Sequence, residues 1–598
     1  MSWTPAIRLK LHSTSRRSVL FTALSAALAV AAPPPAAAQK PSRAHALAAN
    51  HSASARPKLV VVLVVDQMRG DYVDKFRGQW TGGLKRLLQE GAWFRSAAYP
   101  YGSTETCVGH ATISTGAFPR SHGLVSNEWW DRELQKNITC TADASIKNIG
   151  YGGAAVTGGD SAAKMLLPAF AEELRIQQSA GSKVVTFSLK ARAAITLAGR
   201  RADAVTWFDG AAGAWVTSTA YQQAAFVGEF AKAHPVTGDY GKTWTPFLPE
   251  SQYFYDRTAL GAVGPPEYGA AFPHTLGGKK DSHAPDSVFY SQWATSPFAE
   301  TYLAQMAEDA VDKLHLGQGP STDFLGISFS SVDYVGHAFG PKSWEIQDEL
   351  ARLDQDLAAF FAHLDKSIGR GNYLVALSAD HGVTPIPEEL LQSGADAGWL
   401  SLQEVKTRIG KVLEKSNYAK PADTAIAGSD IYFSPGTYEK LKLDGKTLQA
   451  VVEAIQSVPG VAHVYQAEDL DDQSPAQNSL RYAEASGFFK PRSGDLIIVP
   501  KPYWPWDFSA TGTGRLYGTT HGTPYYYDQH VPILFMGWGI QPGEYFAPVT
   551  PADIAPTLAQ LCGITLASRD GRALSEAFAT HRTMYKQTTS NVGSSAKP

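Results

Sequence analysis

Five short runs of apolar residues along the chain have the pattern of strands that are buried on both faces. Each is almost continuously apolar, without the alternation of a half-exposed strand, which is typical of parallel sheets covered by helices. The runs are KLVVVLVVD (58–66), KVVTFSLK (183–190), DFLGISFSSVD (323–333), NYLVALSAD (372–380) and HVPILFMG (530–537). They predict the strands of one mostly parallel central sheet.

Two longer segments have helical periodicity. Residues 298–316 and 344–368 place apolar side chains three and four positions apart, as on the buried face of a helix. Strands and helices that alternate in this way predict an α/β protein, a three-layer α/β/α sandwich. Residues 203–295 are rich in aromatic residues, Gly and Pro, and we predict a loop or cap over the sheet edge. Residues 401–515 mix helix and strand patterns and are predicted to be a second insert.

The first 38 residues are predicted to be a signal peptide. Arg16 and Arg17 precede an apolar run at 19–32, and small residues at 36–38 resemble a cleavage site. The paired arginines favour a twin-arginine signal, with a plain secretory signal as the alternative. The apolar run is shorter than the roughly 20 residues of a membrane span. We therefore expect a periplasmic or secreted protein without stable membrane insertion. The predicted division is a signal peptide (1–38), a linker (39–57), a catalytic domain (58–580) and a flexible tail (581–598).

Composition excludes some partners and leaves others open. The chain has 598 residues, 44% hydrophobic residues and a net charge of −3. Such a near-neutral balance argues against a nucleic-acid partner, which would favour a basic face. The three cysteines, Cys107, Cys140 and Cys562, have no spacing typical of a structural zinc site. Cys107 and Cys140 could pair in an oxidising compartment, and the sequence does not decide this. Oligomeric state is not readable from the sequence.

Three of the predicted strands end at an aspartate, namely Asp66, Asp333 and Asp380. Ligands of open α/β sheets bind beyond the carboxyl ends of the strands, so we expect these side chains to lie close together. Carboxylates that cluster in this way repel one another unless a cation joins them. The three strand ends therefore predict a metal site.

Histidines accompany these aspartates. His337 follows Asp333 by four positions, His381 follows Asp380 directly, and His521 precedes the last predicted strand. Aspartate and histidine together suit Zn²⁺, and six such ligands are enough for two sites of three. Two metals can stabilise the attacking and leaving oxygens of a displacement at phosphorus. For any single residue, a helix cap or a buried core histidine is the alternative interpretation.

The stretch TETCVGHATISTG (104–116) contains three candidate nucleophiles, Thr104, Thr106 and Cys107. A threonine hydroxyl is too weakly acidic to ionise alone at neutral pH, but a nearby metal lowers its pKa, as it does for water. The stretch by itself does not choose among the three.

Taken in this order, the motifs resemble the alkaline phosphatase superfamily. They are most similar to its secreted threonine-nucleophile phosphomonoesterases, the phosphate-irrepressible alkaline phosphatases of bacteria. The resemblance runs from Lys58 to Leu574 and includes PADIAPTLAQLCGI near the end. One departure is Val108, which stands where many relatives have proline.

The resemblance implies a role for each candidate residue. Thr106, in T-x-x-G-H-A-T, would be the nucleophile, reacting through a phosphothreonine and releasing inorganic phosphate. The implied zinc ligands are Asp66, Thr106, Asp380 and His381 for one ion, and Asp333, His337 and His521 for the other. The implied contacts to the phosphoryl group are Asn127 in HGLVSNEWWD, and Lys190 and Arg192 in SLKARAA.

Other functions are also compatible with the sequence. A nucleotide pyrophosphatase/phosphodiesterase would share the metal ligands and the threonine, but Lys190 and Arg192 fit the two free charges of a monoester better than the single charge of a diester. A non-catalytic metal- or phosphate-binding surface protein would be expected to lack a ligand or the nucleophile, and neither is missing. The acidic run at 469–472 could bind Ca²⁺, with a solvated turn as the alternative.

Overall fold

The computed structural model describes residues 56–178, 181–418, 424–471, 479–509 and 515–579. The predicted signal peptide, nearly all of the predicted linker and the predicted tail lie outside these residues. All five predicted strands are present, and they belong to one ten-stranded sheet. Its strands in chain order are β1 (Leu59–Val65), β2 (Gly91–Phe94), β3 (Asn148–Gly150), β4 (Val184–Ser188), β5 (Ala204–Asp209), β6 (Ala214–Ser218), β7 (Asp323–Phe329), β8 (Tyr373–Ser378), β9 (Ile533–Gly537) and β10 (Gly543–Tyr545).

The centre of this sheet is parallel and its flanks are mixed. Across the sheet the strands are ordered β10-β2-β9-β8-β1-β7-β4-β5-β6-β3. The five strands from β8 to β5 pair in parallel, which confirms the predicted central sheet. The strand predicted from HVPILFMG is β9, and it runs antiparallel to β8 with Ile533 opposite Ser378. Because β9 therefore begins where β8 ends, the loop before β9 reaches the carboxyl edge of the parallel strands.

Helices cover both faces of the sheet. Odd-numbered residues of Leu59–Val65 belong to a core shared with the helices Pro297–Lys313 and Trp344–Leu364. Even-numbered residues of the same strand belong to a second core, shared with Phe170–Gln177 and Ile554–Cys562. Full burial on both sides explains why the strands are continuously apolar. The three-layer α/β/α architecture and both predicted helices are confirmed.

Three helices carry candidate site residues and are labelled α1 (Thr106–Thr115), α2 (Ala191–Ala198) and α3 (Ser331–Phe339). The remaining described helices are Gly70–Phe76, Gly83–Glu90, Pro119–His122, Phe170–Gln177, Ala225–Ala233, Ser287–Ala294, Pro297–Lys313, Trp344–Leu364, Pro387–Gln392, Leu402–Lys415, Thr437–Leu443, Gly445–Gln456, Ala467–Asp471, Leu480–Gly487, Tyr526–Gln529 and Ile554–Cys562. None of the helices in the described part of the chain is long and apolar enough to cross a bilayer.

The segment 203–295 differs from its prediction at its beginning. Its first residues form β5 and β6, which extend the central sheet instead of lying over it. The alternation in AVTWFD explains this, because Val205 and Trp207 pack in one core while Phe208 packs in another. The later part is a cap with a short strand pair, Thr243–Trp244 and His274–Thr275.

The cap is fastened to the helix Trp344–Leu364 through one buried carboxylate. Asp348 accepts hydrogen bonds from Trp244 Nε1 at 2.7 Å and from Phe247 N at 2.5 Å, and a third from the Tyr253 hydroxyl. Several donors on one buried acceptor hold the cap against the helix.

The segment 401–515 forms its own small sheet with a separate core. The four strands are antiparallel, in the order Thr424–Ala427, Asp430–Phe433, Leu496–Pro500 and Val461–Gln466. A parallel pair, Leu400–Ser401 with Trp506–Asp507, lies at the two ends of the segment. A hairpin of Glu128–Asp131 and Lys136–Thr139 lies outside both sheets.

Candidate metal centre and nucleophile

The three strand-end aspartates lie together because their strands are neighbours. β1 pairs with both β7 and β8, with Val65 opposite Phe329 and Val64 opposite Ser378. Asp66 directly follows β1, and Asp380 and His381 follow β8. After β7 the chain turns into α3, where Asp333 and His337 are one helical turn apart. All three aspartates are buried.

Six of the predicted ligands form two compact groups. The first ligand group is Asp66, Asp380 and His381, and the second is Asp333, His337 and His521. Within each group, one candidate ligand atom from every residue lies within 4.8 Å of the others. In the described part of the chain these are the only groups of three or more such residues that meet this condition. The arrangement matches the two sets expected from the sequence.

The two ligand groups adjoin each other. The rings of His381 and His521, one from each group, stack with centroids 3.6 Å apart. Lys190 Nζ lies 2.6 Å from Asp66 Oδ2 and 2.5 Å from Asp333 Oδ2, and so joins a carboxylate of each group. The two ligand groups therefore form one continuous cluster of side chains.

The first ligand group has buried polar atoms without hydrogen-bond partners. Asp66 Oδ1, Asp380 Oδ2 and His381 Nε2 are all in this state. His110 Nδ1 lies 3.2 Å from Asp380 Oδ2 but is engaged with the Thr106 carbonyl oxygen. Unpaired buried groups are costly, and native proteins rarely leave three together. Two carboxylate oxygens and an imidazole nitrogen form a donor set that a divalent cation such as Zn²⁺ would satisfy.

The electrostatics of the site also fit a cation. Burial, together with the nearby Asp380 carboxylate, holds the pKa of Asp66 well above its usual value. Burial lowers the pKa of His381 and of His521, so both favour the neutral form that binds metals. A divalent ion would relieve the crowding of negative charge that raises the pKa of Asp66, and it binds imidazole in this neutral form.

Each histidine ligand is oriented by a backbone carbonyl. Nδ1 of His381 donates to Gly382 O at 2.9 Å, that of His337 to Thr519 O at 2.8 Å, and that of His521 to Thr104 O at 2.8 Å. Because a carbonyl can only accept, the proton is on Nδ1 in each ring. Nε2 is therefore the ring nitrogen that is left to bind a metal in the ligand group.

Helix α1, which begins at Thr106, packs against the backbone of Asp380 in the first ligand group. A Cβ on Gly109 would lie 2.1 Å from Asp380 O, whereas ordinary contacts begin near 3.4 Å, so only glycine permits this approach. Arg192 NH2 lies 3.4 Å from Thr106 Oγ1, and Arg192 Nε is buried without a partner. A helix N-terminus and a guanidinium with an unused donor form a surface that suits an anion.

Asn127 is held beside α1 by hydrogen bonds from both residues of a disulfide. Cys107 and Cys140 form a disulfide, which settles the pairing that the sequence left open and removes the Cys107 thiol from the candidate nucleophiles. Asn127 Oδ1 accepts from Cys107 N at 2.8 Å, and its carbonyl oxygen accepts from Cys140 N at 2.9 Å. With its amide oxygen engaged, Asn127 can offer its NH₂ group to a ligand in the adjoining cavity, which it lines.

Lys190, which the sequence predicts as a phosphoryl contact, has carboxylate partners in this structure. Burial alone would lower its pKa, but Asp333 and Asp66 outweigh that effect and hold the pKa above its usual value. The ammonium is therefore charged. Tyr334, on α3, lies with its ring centroid 5.0 Å from Lys190 Nζ.

Two polar residues with a place in the site were missed in the sequence. Gln67 directly follows Asp66 and adopts a left-handed conformation, with φ of 67°. Its backbone N donates to Asp380 Oδ1 at 3.0 Å, and its Nε2 donates to Asp333 Oδ1 at 2.5 Å. It thus connects the two ligand groups, and its place directly after a strand-end aspartate was the available signal.

The second missed residue is Asp528, which is connected to His521 by hydrogen bonds through Thr523 and Thr104. Its Oδ2 accepts from Thr523 N at 3.0 Å and from Thr523 Oγ1 at 2.6 Å. Thr104 Oγ1 donates to Thr523 O at 3.1 Å, and the Thr104 carbonyl is the acceptor that orients His521. Asp528 is therefore a positioning residue for the second ligand group, and Thr104 belongs to the same network.

We expect Asp528→Ala to weaken metal binding at the second ligand group by up to about tenfold, the lower end of the cost of losing an outer partner of a metal ligand, because Asp528 reaches His521 only through Thr523 and Thr104. Asp528→Asn keeps an acceptor oxygen and should lose less. The measurement is the zinc retained per chain during dialysis against graded chelator. Equal retention by wild type and Asp528→Ala would contradict the positioning role.

Comparison with known proteins agrees with the fold and the site. The sequence pattern of the family described as type I phosphodiesterase / nucleotide pyrophosphatase matches residues 60–524. The chain is 33% identical to alkaline phosphatase PhoV of Synechococcus elongatus over 522 residues, which cover 85% of this chain and 90% of that protein. It is 34% identical to alkaline phosphatase PafA of Elizabethkingia meningoseptica over 525 residues, covering 86% and 93%.

A crystal structure of wild-type alkaline phosphatase PafA superposes with a TM-score of 0.79 at 32% identity, covering 88% of this chain and 100% of that one. The sequence pattern includes every candidate ligand, and the relatives cover most of the chain. The chain belongs to the type I phosphodiesterase / nucleotide pyrophosphatase family, together with the bacterial alkaline phosphatases PhoV and PafA.

Proposed function

We propose that this protein is a metal-dependent alkaline phosphatase, which hydrolyses phosphate monoesters and releases inorganic phosphate through a phosphothreonine at Thr106. The observation that carries the proposal is the position of Thr106. Its hydroxyl lies at the start of α1, 3.4 Å from the Arg192 guanidinium, on a helix that packs directly on the first ligand group.

The ligand groups are proposed to hold two Zn²⁺ per chain. Asp66, Asp380 and His381, with Thr106, would hold one ion, and Asp333, His337 and His521 the other. When bound, the two ions supply Lewis acidity that stabilises charge on the attacking and leaving oxygens. A Ca²⁺ ion at 469–472 has less support, because Asp469 accepts from Gln466 N, Asp471 pairs with Lys490, and residue 472 lies outside the described residues.

The protein's own residues have separate tasks in the reaction. Thr106 Oγ forms a bond to phosphorus as the bond to the departing alcohol breaks, and water then cleaves the phosphothreonine. Arg192 and the Asn127 amide are placed to bind the phosphoryl oxygens during both steps. Lys190 keeps positive charge between the two ligand groups. A dianion that enters this site gains from every one of these donors.

Preference for monoesters over diesters follows from the number of these donors. A monoester keeps two negative charges beyond the bond that breaks, whereas a diester keeps one and carries a second organic group. Supporting this assignment, a solved variant of PafA, 31% identical to this chain, carries substitutions at a threonine, an asparagine, a lysine and an arginine. Thr106, Asn127, Lys190 and Arg192 are the same residue types in the same chain order.

Export to the periplasm or the medium is part of the proposal. The Cys107–Cys140 disulfide is consistent with an oxidising compartment. The paired arginines and the apolar run at the N-terminus favour a twin-arginine signal peptide, and these residues lie outside the described part of the chain.

The deciding experiment compares phenyl phosphate with diphenyl phosphate on zinc-loaded protein. We expect a higher kcat/KM for the monoester. Arg192→Ala should lower the monoester value by about a hundredfold and the diester value by much less, because two charge-assisted bonds of about 1.5 kcal/mol each are lost mainly by the dianion. Arg192→Lys, which keeps the charge but not the planar fork, should be intermediate. Faster cleavage of the diester by the wild type would assign the protein to the phosphodiesterases instead.

A further inference from the structure

The cavity beside Thr106 has two walls of different chemistry. Its volume is about 400 Å³. One wall carries the polar groups already described, including Asn127, Arg192 and His521. The other wall is apolar, and its residues come from the segment 401–515 and from the loop before His521. These apolar residues are Leu402, Ile426, Trp506, Phe508, Leu516 and Tyr517.

Part of the apolar wall is exposed to solvent. Phe508 is 48% exposed, Leu516 64% and Tyr517 43%, and all three line the same cavity. Large apolar side chains that gather at the mouth of a cavity next to a binding site indicate a surface that a ligand covers. Because the cavity is continuous with the phosphoryl site, the ligand is the organic part of the substrate.

The apolar wall begins beside the second ligand group. The Tyr517 ring lies with its centroid 4.9 Å from that of His337. The residues after Tyr517 are bonded to the same histidine, with Gly518 N donating to His337 O at 2.8 Å. In the proposed reaction Thr106 attacks from the side of the first group, so the departing oxygen of an in-line displacement faces the second. The organic group attached to that oxygen then meets Tyr517 and its neighbours.

The wall is anchored to the site. Trp506 is buried, and its Nε1 donates to Gly522 O at 3.0 Å, directly after the ligand His521. Phe508 follows two positions later in the chain. The hydrogen bond of Trp506 therefore fixes where the segment 401–515 approaches the candidate metal ligands. A wall held in this way can discriminate between substrates without a large rearrangement.

The charges of the cavity exclude one class of leaving group. Beyond Arg192 and the two histidine ligands, the charged residues that line it are Glu105 and Glu128. A second phosphate or a polyphosphate chain would face these carboxylates, and among the described residues of the wall there is no lysine or further arginine. Neutral organic groups avoid this repulsion.

We propose that the exposed part of the apolar wall is a leaving-group subsite, which selects phosphate monoesters of neutral aromatic alcohols. This part consists of Phe508, Leu516 and Tyr517. This inference rests on the proposed function and names the substrate class that the same site takes. An aromatic ring lies against Phe508 and Tyr517 while the phosphoryl group is bound by Asn127 and Arg192.

The test compares benzyl phosphate with ethyl phosphate, using the zinc-loaded full chain. Both esters release an alkoxide from a CH₂ group, so the ratio of their kcat/KM values isolates the contribution of the ring. Phe508→Ala and Tyr517→Ala should each lower this ratio by about tenfold, equivalent to about 1.4 kcal/mol. Phe508→Tyr keeps a ring and should preserve the ratio. Phe546→Ala, which removes a 66% exposed aromatic that does not line the cavity, is the matched control.

The outcomes separate this inference from the proposed function. If the wild type and both alanine variants cleave the two esters with the same ratio, the subsite is overturned while the phosphatase stands. If the wild type cleaves neither ester, the proposed function fails and the subsite fails with it. Zinc content and melting temperature of each variant verify that the fold is retained.

Discussion

Thr106→Ala is expected to lower kcat/KM for phenyl phosphate by at least about a thousandfold, because removal of a covalent nucleophile costs this much or more in enzymes that depend on one. The variant keeps Asp66, Asp380 and His381 of the first ligand group and all three residues of the second. Its zinc content should therefore be close to that of the wild type. The measurement is steady-state hydrolysis together with metal analysis of the same preparation.

Two neighbouring variants make this result specific. Thr106→Ser keeps a hydroxyl and should retain most of the activity lost in Thr106→Ala. Thr104→Val removes the hydroxyl of the other candidate threonine, which bonds to Thr523, and should cost far less. A Thr104→Val protein as inactive as Thr106→Ala, with its zinc intact, would refute the assignment of the nucleophile.

Asp380→Asn is expected to remove metal from the first ligand group and to lower kcat/KM by about a thousandfold, corresponding to about 4 kcal/mol of lost stabilisation. The amide preserves the shape of the side chain, which also accepts from Gln67 N and from its neighbour His381 N. Its charge, however, is gone. Zinc per chain should fall from two to one.

The same substitution should cost more stability with metal than without it. Burial would raise the pKa of Asp380, but His381, His110 and other nearby groups hold it below its usual value, so the fold favours its charge. Removing this charge should therefore lower the melting temperature somewhat even in chelator. With zinc the difference should be larger, because the wild type binds the additional ion.

Asp323→Asn is the control, since Asp323 is buried at the start of β7 and accepts from Lys183 N and Gly317 N, outside both groups. Its melting temperature should fall equally with and without zinc. If Asp380→Asn also shifts melting equally in both conditions, the first group is not a metal site.

Much of the fold and of the candidate site can be predicted from sequence because the relevant signals are local. A continuously apolar run predicts a strand with both faces covered, and an aspartate directly after it predicts a side chain at the sheet edge. Asp333 and His337 are four apart, so one helix sets their spacing. Antiparallel β9 could not be predicted, because an apolar run carries no direction.

The contacts that complete the site join residues far apart in sequence. His521 is oriented by Thr104, and Trp506 bonds to Gly522, through pairings that no local pattern encodes. The Cys107–Cys140 pairing was one of several arrangements that three cysteines allow. The beginning of the segment 203–295 forms strands where the sequence predicts a cap. Its aromatic residues are typical of both a cap and strands at a sheet edge.

Gly109 limits how the nucleophile stretch can be redesigned. The residue that reacts can be exchanged for another, as the Thr106→Ser variant would do, because serine keeps the hydroxyl and is smaller. The distance from that side chain to the ligands is set three residues later, by a position where even a methyl group would meet the Asp380 carbonyl at 2.1 Å. A directed-evolution library across 104–110 can therefore vary the chemistry of the site while 109 stays glycine.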